Sequence, residues 1–278
     1  MSAPMFAVTT RSRLRAPWLF PQMAFATWRV RRQLAKDPSV VVWASLVASP
    51  TEFWTITVWR SRHDMQEFMR SGAHDDIMWL FGRLLSSFWL MRWRPTGDEI
   101  GEWRGIRLGG TAEQSESSGE ARPELQRALE HLPWLADATG PDGQAAYRYS
   151  SSARRKAAEV ADSAGLVVNL HPRRRHAWAS LATLRGLRES AASSGAVRSS
   201  IGVARPGDAY LLAVWNDREA LERFVHSRDF LDAAARWEGH FWSVTWLPEN
   251  EFGHWDELRL RRRRRPAIPV PSSSAHLG

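Results

Sequence analysis

The chain of 278 residues contains no cysteine. This absence excludes disulfides, thiolate metal sites, iron–sulfur clusters and cysteine nucleophiles. The sequence also lacks a run of about 18 apolar residues, the length that a membrane-spanning helix needs. Its first residues lack the apolar core of a signal peptide. We therefore expect a cytoplasmic protein without a membrane span.

Motifs of several enzyme classes are absent as well. The sequence contains no G-x-S-x-G, no Walker loop and no G-x-G-x-x-G, so nothing supports a hydrolase, an NTPase or a dinucleotide-binding fold. Tryptophan, in contrast, is abundant, with 16 residues. Such a chain is expected to build an aromatic core, a pocket for a flat apolar ligand, or both.

Positive charge is concentrated near the C-terminal end. The formal net charge is +8, and the segment Arg259–Arg265 contains six arginines. A run of this kind is typical of a solvated, disordered tail, although it can also contact nucleic acid or an anionic membrane surface. We expect a disordered tail over 261–278 and no specific binding of nucleic acid.

The first part of the chain, 1–108, predicts the element order β-α-β-β-α-β, a ferredoxin-like arrangement. Alternating or β-branched segments predict four strands, at Met5–Arg15, Val40–Ala48, Phe53–Arg60 and Ser87–Arg94. Apolar residues at helical spacing predict helices at Trp18–Lys36 and Arg62–Leu85, the second with a break at Ser71-Gly72. Pro95-Thr96-Gly97 is expected to end the fourth strand.

The same order returns over 164–260, after a predicted linker with short helices at 109–163. Several landmarks recur with it: Val58-Trp59 matches Val214-Trp215, Phe68 matches Phe224, Ser71 matches Ser227, and Phe88-Trp89 matches Phe241-Trp242. We therefore predict a tandem repeat. The predicted fold class is α+β, with two ferredoxin-like repeats whose bare sheet faces pack together as a pseudo-dimeric α+β barrel.

The passage from Phe53 to His74, FWTITVWRSRHDMQEFMRSGAH, resembles the dimeric α+β-barrel superfamily. That superfamily includes antibiotic-biosynthesis monooxygenases, spheroidene monooxygenase-like proteins, heme-degrading monooxygenases, chlorite dismutases and aldoxime dehydratases. The SGAH element is similar to the spheroidene monooxygenase-like branch in particular. Several of these families bind heme, some through a histidine on a helix, and others need no cofactor.

The resemblance implies a heme-dependent, monooxygenase-like oxidoreductase that acts on a small apolar or aromatic biosynthetic intermediate. A heme lyase or dehydratase acting on an N–O bond, a cofactor-free oxygenase and a non-catalytic ligand-binding protein are the alternatives. The chain is expected to be a monomer with a pseudo-dimeric fold, or a homodimer.

His74 is the candidate catalytic residue and the candidate ligand of heme iron. His74, Met78 and Phe81 follow one another at spacings of four and three, which places them on one helix face. Imidazole suits an axial ligand or a general base; the structural alternative is a buried histidine satisfied by a backbone carbonyl. Ser227 and Arg228 stand near the matching position of the second half, so one site per chain is expected.

Other residues are candidates for the same pocket. Arg60 and Arg83, together with Arg92 and Arg94, are candidates to pair with heme propionates, because guanidinium groups bind carboxylates well. Surface positions are the alternative for them. Trp59 and Trp89 lie on predicted strands, where they either line a pocket or pack in the core. The predicted cofactor-binding set is His74, Arg60, Arg83, Met78, Phe81, Trp59 and Trp89.

Overall fold

The computed structural model describes residues 5–108, 163–172, 174–253 and 255. The predicted tail lies outside these residues, and so does the predicted linker except for Ser163. The division into two repeats, a linker and a tail therefore stays a prediction. None of the helices in the described ranges is long and apolar enough to cross a bilayer.

The first half contains four strands and three helices. Their bounds are β1 Phe6–Leu14, α1 Phe20–Leu34, β2 Val40–Ser49, β3 Glu52–Trp59, α2 Arg62–Met69, α3 Gly72–Leu84 and β4 Leu85–Ile100, with a 3-10 turn at Pro17–Leu19 before α1. Ser61 starts α2, because its hydroxyl accepts the N–H of Asp64 at 3.1 Å. Gly72 separates α3 from α2 with a φ of 57°, a conformation that favours glycine.

The second half follows with the same order of elements. Their bounds are β5 Ala164–Leu170, α4 Ala177–Ser193, β6 Ala196–Arg205, β7 Asp208–Trp215, α5 Arg218–Val225, α6 Arg228–Arg236 and β8 Phe241–Gly253, with a 3-10 turn at Arg174–His176 before α4. The helix predicted from Asp217 to Trp237 is two helices, because Ser227 begins α6 by accepting the N–H of Phe230 at 3.4 Å.

The predicted fold class is wrong in how the strands associate. Two ferredoxin-like sheets, packed through their bare faces, were expected. Instead, the eight strands form one closed antiparallel barrel in the order β1-β3-β2-β6-β7-β5-β8-β4. Hydrogen bonds between β4 and β8, and between β2 and β6, join the halves edge to edge. Closure removes the unpaired edges that two separate sheets would expose.

The length of β4 explains much of this closure. Proline at position 95 was expected to end the strand, but β4 continues to Ile100 and pairs with β8 along most of its length. The register between the two strands shifts between Pro95 and Glu99. Proline is tolerated at such irregularities, because the ladder hydrogen bond that it cannot donate is not needed there.

The barrel creates three hydrophobic layers. Its interior holds a tryptophan-rich core that includes Trp89, Trp93, Trp242 and Trp246, each fully buried. Outside the barrel, α1, α2 and α3 cover the first-half strands, and α4, α5 and α6 cover the second-half strands. The candidate site lies in the layer under α1, α2 and α3.

Candidate functional site

A cavity lies between the outer face of the first-half strands and helices α1, α2 and α3. Its empty volume is about 910 Å³, including space that is open to solvent. Small-molecule sites are usually mostly apolar clefts with a few polar groups, and the side chains that line this cavity have that character. His74, Met78, Phe81 and Trp59 line it, which brings together four of the predicted site residues.

The His74 ring is oriented by the backbone of the preceding helix. Its Nδ1 lies 3.2 Å from the carbonyl oxygen of Met69, and its ring packs against Phe68 with centroids 5.2 Å apart. A carbonyl oxygen can only accept a hydrogen bond, so Nδ1 carries the proton and Nε2 keeps its lone pair. The backbone contact therefore satisfies one nitrogen and leaves the other for chemistry.

The surroundings of His74 keep the imidazole neutral. Burial lowers the pKa of His74 from 6.5 to about 4, although the Met69 carbonyl and the charge of Asp75 act in the opposite direction. The neutral ring is the form that binds a metal ion or accepts a proton. A metal-bound histidine commonly donates its other N–H to a carbonyl or carboxylate, as His74 does to Met69.

Gln33 fixes the start of the helix that carries His74. From α1, its Oε1 accepts the backbone N–H of His74 at 3.0 Å, and its Nε2 donates to the carbonyl of Ser71 at 2.9 Å. In the second half the corresponding N–H, that of Phe230, is bonded locally by Ser227. The position of His74 is therefore set by the opposite wall of the cavity rather than by a local cap.

The strands supply a polar floor to this otherwise apolar cavity. Five hydroxyl side chains line it from β1, β2 and β3: Thr10, Ser12, Ser45, Thr55 and Thr57. The hydroxyls of Thr10 and Thr55 are hydrogen-bonded to each other, and Trp59 donates its indole N–H to Thr57 at 2.9 Å. These groups are missing from the sequence-based prediction.

The same positions are apolar in the second half. Strand pairing gives the correspondence, because Val58 pairs with Ala7 and Val214 pairs with Gly165. The counterparts of the five hydroxyl residues are Val168, Leu170, Ile201, Leu211 and Ala213, in the order given above. A position-by-position comparison of the two halves in the sequence would have revealed this difference.

His74 has a different counterpart from the one expected. The matching residue is Phe230 rather than Ser227 or Arg228, since each lies three residues after its matched serine. Phe230 is 1% exposed, and its ring contacts Phe224 with centroids 5.4 Å apart. This ring pair repeats the contact between Phe68 and His74 with the imidazole replaced by a phenyl group.

The remaining predicted residues lie elsewhere. Arg60 and Arg83 are exposed and do not line the cavity. Trp89 points into the barrel, where its indole N–H donates to Glu251 at 2.6 Å. Arg92 is buried with its guanidinium 5.2 Å from the Phe252 ring. Arginine partners for a heme propionate at His74 are therefore not supplied by these side chains.

The described side chains of the cavity offer a ligand for a heme iron but no cationic partner for heme propionates. His74 offers a neutral nitrogen in an apolar space, as an axial ligand requires. No arginine or lysine is found among the described residues that line the cavity, so propionates would have to extend to solvent. The described ranges also contain no group of three or more His, Asp or Glu residues suited to a metal ion.

The depressed pKa of His74 predicts a pH dependence of stability. Between its ordinary pKa of 6.5 and its folded pKa of about 4, the unfolded chain binds a proton that the folded chain does not. Stability therefore falls as pH decreases through this window, by up to about 2 kcal/mol between about pH 7 and pH 5. His74→Phe, which copies Phe230, should remove this component.

Urea unfolding of both proteins at the two pH values measures the effect. The loss of unfolding free energy should be larger in the wild type than in His74→Phe by about 2 kcal/mol. The other titrating groups contribute equally to the pH dependence of both proteins, so their contributions cancel in this comparison. Equal losses in the two proteins would contradict a buried neutral imidazole at position 74.

Comparisons with known proteins give only distant likenesses. No protein family and no curated protein sequence matches the chain. It is similar to the structure of an aldoxime dehydratase at 10% identity, over 89% of this chain and 84% of that one, with a TM-score of 0.49. It is also similar to a candidate monooxygenase from Fusobacterium nucleatum at 7% identity, over 91% and 95%, with a TM-score of 0.35.

A third likeness covers about a third of this chain. A candidate antibiotic biosynthesis monooxygenase from Nitrosomonas europaea matches 34% of this chain and 92% of its own length, at 11% identity and a TM-score of 0.31. Monooxygenases and aldoxime dehydratases also belong to the superfamily that the Phe53–His74 passage resembles. The scores are too low to carry an activity to this chain, and the spheroidene monooxygenase-like branch stays a prediction.

Proposed function

We propose that the chain is a heme-dependent, monooxygenase-like oxidoreductase that acts on a small apolar or aromatic molecule. One observation carries the proposal: the first half keeps a histidine and a hydroxyl floor where the second half has phenylalanine and aliphatic side chains. Phe230 and Leu211 are fully buried in the second half, so the scaffold folds without these polar groups. Polar groups that a fold does not need are expected at a functional site.

Each part of the cavity has a role in this proposal. His74 would hold the iron through Nε2, and the Met69 carbonyl orients the ring by accepting the hydrogen bond from Nδ1–H. The heme would supply the oxidising chemistry. Thr10, Thr55 and Ser45 orient a polar atom of the substrate through their hydroxyls. The apolar side chains of the helices exclude water from the reacting groups.

A cofactor-free oxygenase is the second candidate. The observation that favours it is the absence of arginine and lysine from the described cavity lining, which leaves propionates without a cationic partner. The Nε2 atom of His74 then serves as a general base and accepts a proton from an aromatic substrate. A neutral imidazole with its Nδ1 proton held by Met69 has the required tautomer.

Titration with hemin separates these candidates. The wild-type chain should bind one equivalent and develop a Soret band distinct from that of free hemin. His74→Ala should lose this band, whereas His63→Ala should keep it, because the side chain of His63 is 75% exposed on α2. A wild-type chain that never develops the band rules out heme. A full band in His74→Ala rules out this residue as the ligand.

A further inference from the structure

The outer face of α1 and the 3-10 turn before it expose a group of aromatic side chains. Trp18, Phe25 and Trp28 are 79%, 62% and 48% exposed. Phe25 and Trp28 are three residues apart on one side of α1, and Arg32 follows four residues after Trp28, whereas Trp18 lies in the 3-10 turn just before the helix. We name these four residues the aromatic–basic face.

This face is directed away from the cavity. The opposite side of α1 provides Met23, Val30 and Leu34 to the cavity lining. The packing of α1 on the barrel is therefore complete without the aromatic–basic face. Large aromatic side chains grouped on a surface mark a contact with a partner or a membrane more often than isolated ones do.

Contacts within the face order its side chains. The rings of Phe25 and Trp28 are stacked with centroids 5.8 Å apart, and the guanidinium of Arg32 lies 4.8 Å from the Trp28 ring. A cation is thus held directly beside the apolar surface. Helix α1 itself contains no acidic residue.

Two further arginines on α1 have partners nearby. Arg29 forms an exposed ion pair with Asp76 at 2.6 Å, so its charge is partly compensated. The guanidinium of Arg31 lies 5.6 Å from the Trp43 ring. The net charge of this surface remains positive, which complements an anionic partner.

We propose that the aromatic–basic face docks the protein on an anionic lipid surface. Tryptophan and phenylalanine favour the boundary between headgroups and acyl chains. An arginine beside them can reach the lipid phosphates while its stem stays in apolar contact. Docking would place α1 between the bilayer and the cavity. The proposal does not depend on heme or on the role of His74.

Sedimentation with vesicles tests this directly. The full chain should sediment with vesicles of phosphatidylcholine and phosphatidylglycerol, and much less with phosphatidylcholine alone or at high salt. The triple variant Trp18→Ser, Phe25→Ser, Trp28→Ser should bind the mixed vesicles at least about tenfold more weakly than the wild type. Trp178→Ser is the matched control, because Trp178 is 80% exposed in the second half; it should bind like the wild type.

The triple variant keeps the C-terminal arginines, so the experiment distinguishes docking through the aromatic–basic face from binding through those arginines. A wild-type chain that does not sediment with the mixed vesicles overturns the proposal. Wild-type binding by the triple variant also overturns it, and assigns any membrane contact to another basic segment. A dimer in gel filtration that the triple variant converts to a monomer, without vesicle binding by either, makes the face a contact between two copies. Circular dichroism verifies that the triple variant is folded.

Discussion

Replacing Ser45 by isoleucine and Thr55 by leucine is expected to close the cavity and to weaken ligand binding strongly. These two residues pair across β2 and β3, and Ile201 and Leu211 form the same pair in the second half. The larger side chains enter space that is empty in the wild type. A ligand then loses both the volume and the hydroxyl groups of the floor, so binding should weaken by about a hundredfold or more.

The same double variant is expected to raise the stability of the fold. Each buried methylene contributes about 0.8 kcal/mol, whereas losing the hydrogen bond between Thr10 and Thr55 costs about 1 kcal/mol. We expect a net gain of about 1–2 kcal/mol in the unfolding free energy. Hemin and the apolar dye anilinonaphthalene sulfonate serve as probes of binding, and urea unfolding measures stability.

The matched control replaces the corresponding apolar pair of the second half by serine and threonine. Ile201→Ser with Leu211→Thr should destabilise the fold by about 2–5 kcal/mol, because Leu211 is fully buried. It should leave the binding of both probes unchanged. Wild-type affinity in Ser45→Ile, Thr55→Leu would mean that the ligand does not occupy this cavity. A joint loss of binding and stability would mean that the larger side chains do not fit.

The sequence predicts the order of the elements but not the pairing between the halves. Periodicity within Phe53–Arg60 or Val40–Ala48 reports which side of a strand is buried. It carries no information on which strand from the other half lies at an edge. The extension of β4 beyond Pro95 was missed for the same reason: the register shift that accommodates this proline exists only when β8 lies alongside.

The residues of the candidate site could likewise be predicted only in part from the sequence. His74, Met78 and Phe81 could be placed together because helical spacing alone puts them on one face. The hydroxyls of Thr10 and Thr55 could not be recognised, since threonine is a common strand residue with many structural roles. Trp89 was expected beside His74, but the alternation of side chains along β4 directs it into the barrel.

Removing the carboxylate of Glu251 is expected to destabilise the fold by about 3–5 kcal/mol. Glu251 accepts hydrogen bonds from Arg198 at 2.7 Å and from the Trp89 indole at 2.6 Å. The side chains of Glu251 and Arg198 are 2% and 1% exposed. These bonds join β8 to β6 and β4, so Glu251→Ala leaves a buried guanidinium without its carboxylate where the two halves meet.

A comparison with a surface ion pair isolates the effect of burial. Glu222→Ala removes a carboxylate that lies 3.1 Å from Arg218 on α5, with both side chains about half exposed. Exposed pairs of this kind contribute about 0.3–0.5 kcal/mol. The double variant Arg198→Met, Glu251→Ala should recover much of the lost stability, because it removes the uncompensated charge. If Glu251→Ala costs no more than Glu222→Ala in urea unfolding, water must reach this end of the barrel and solvate Arg198.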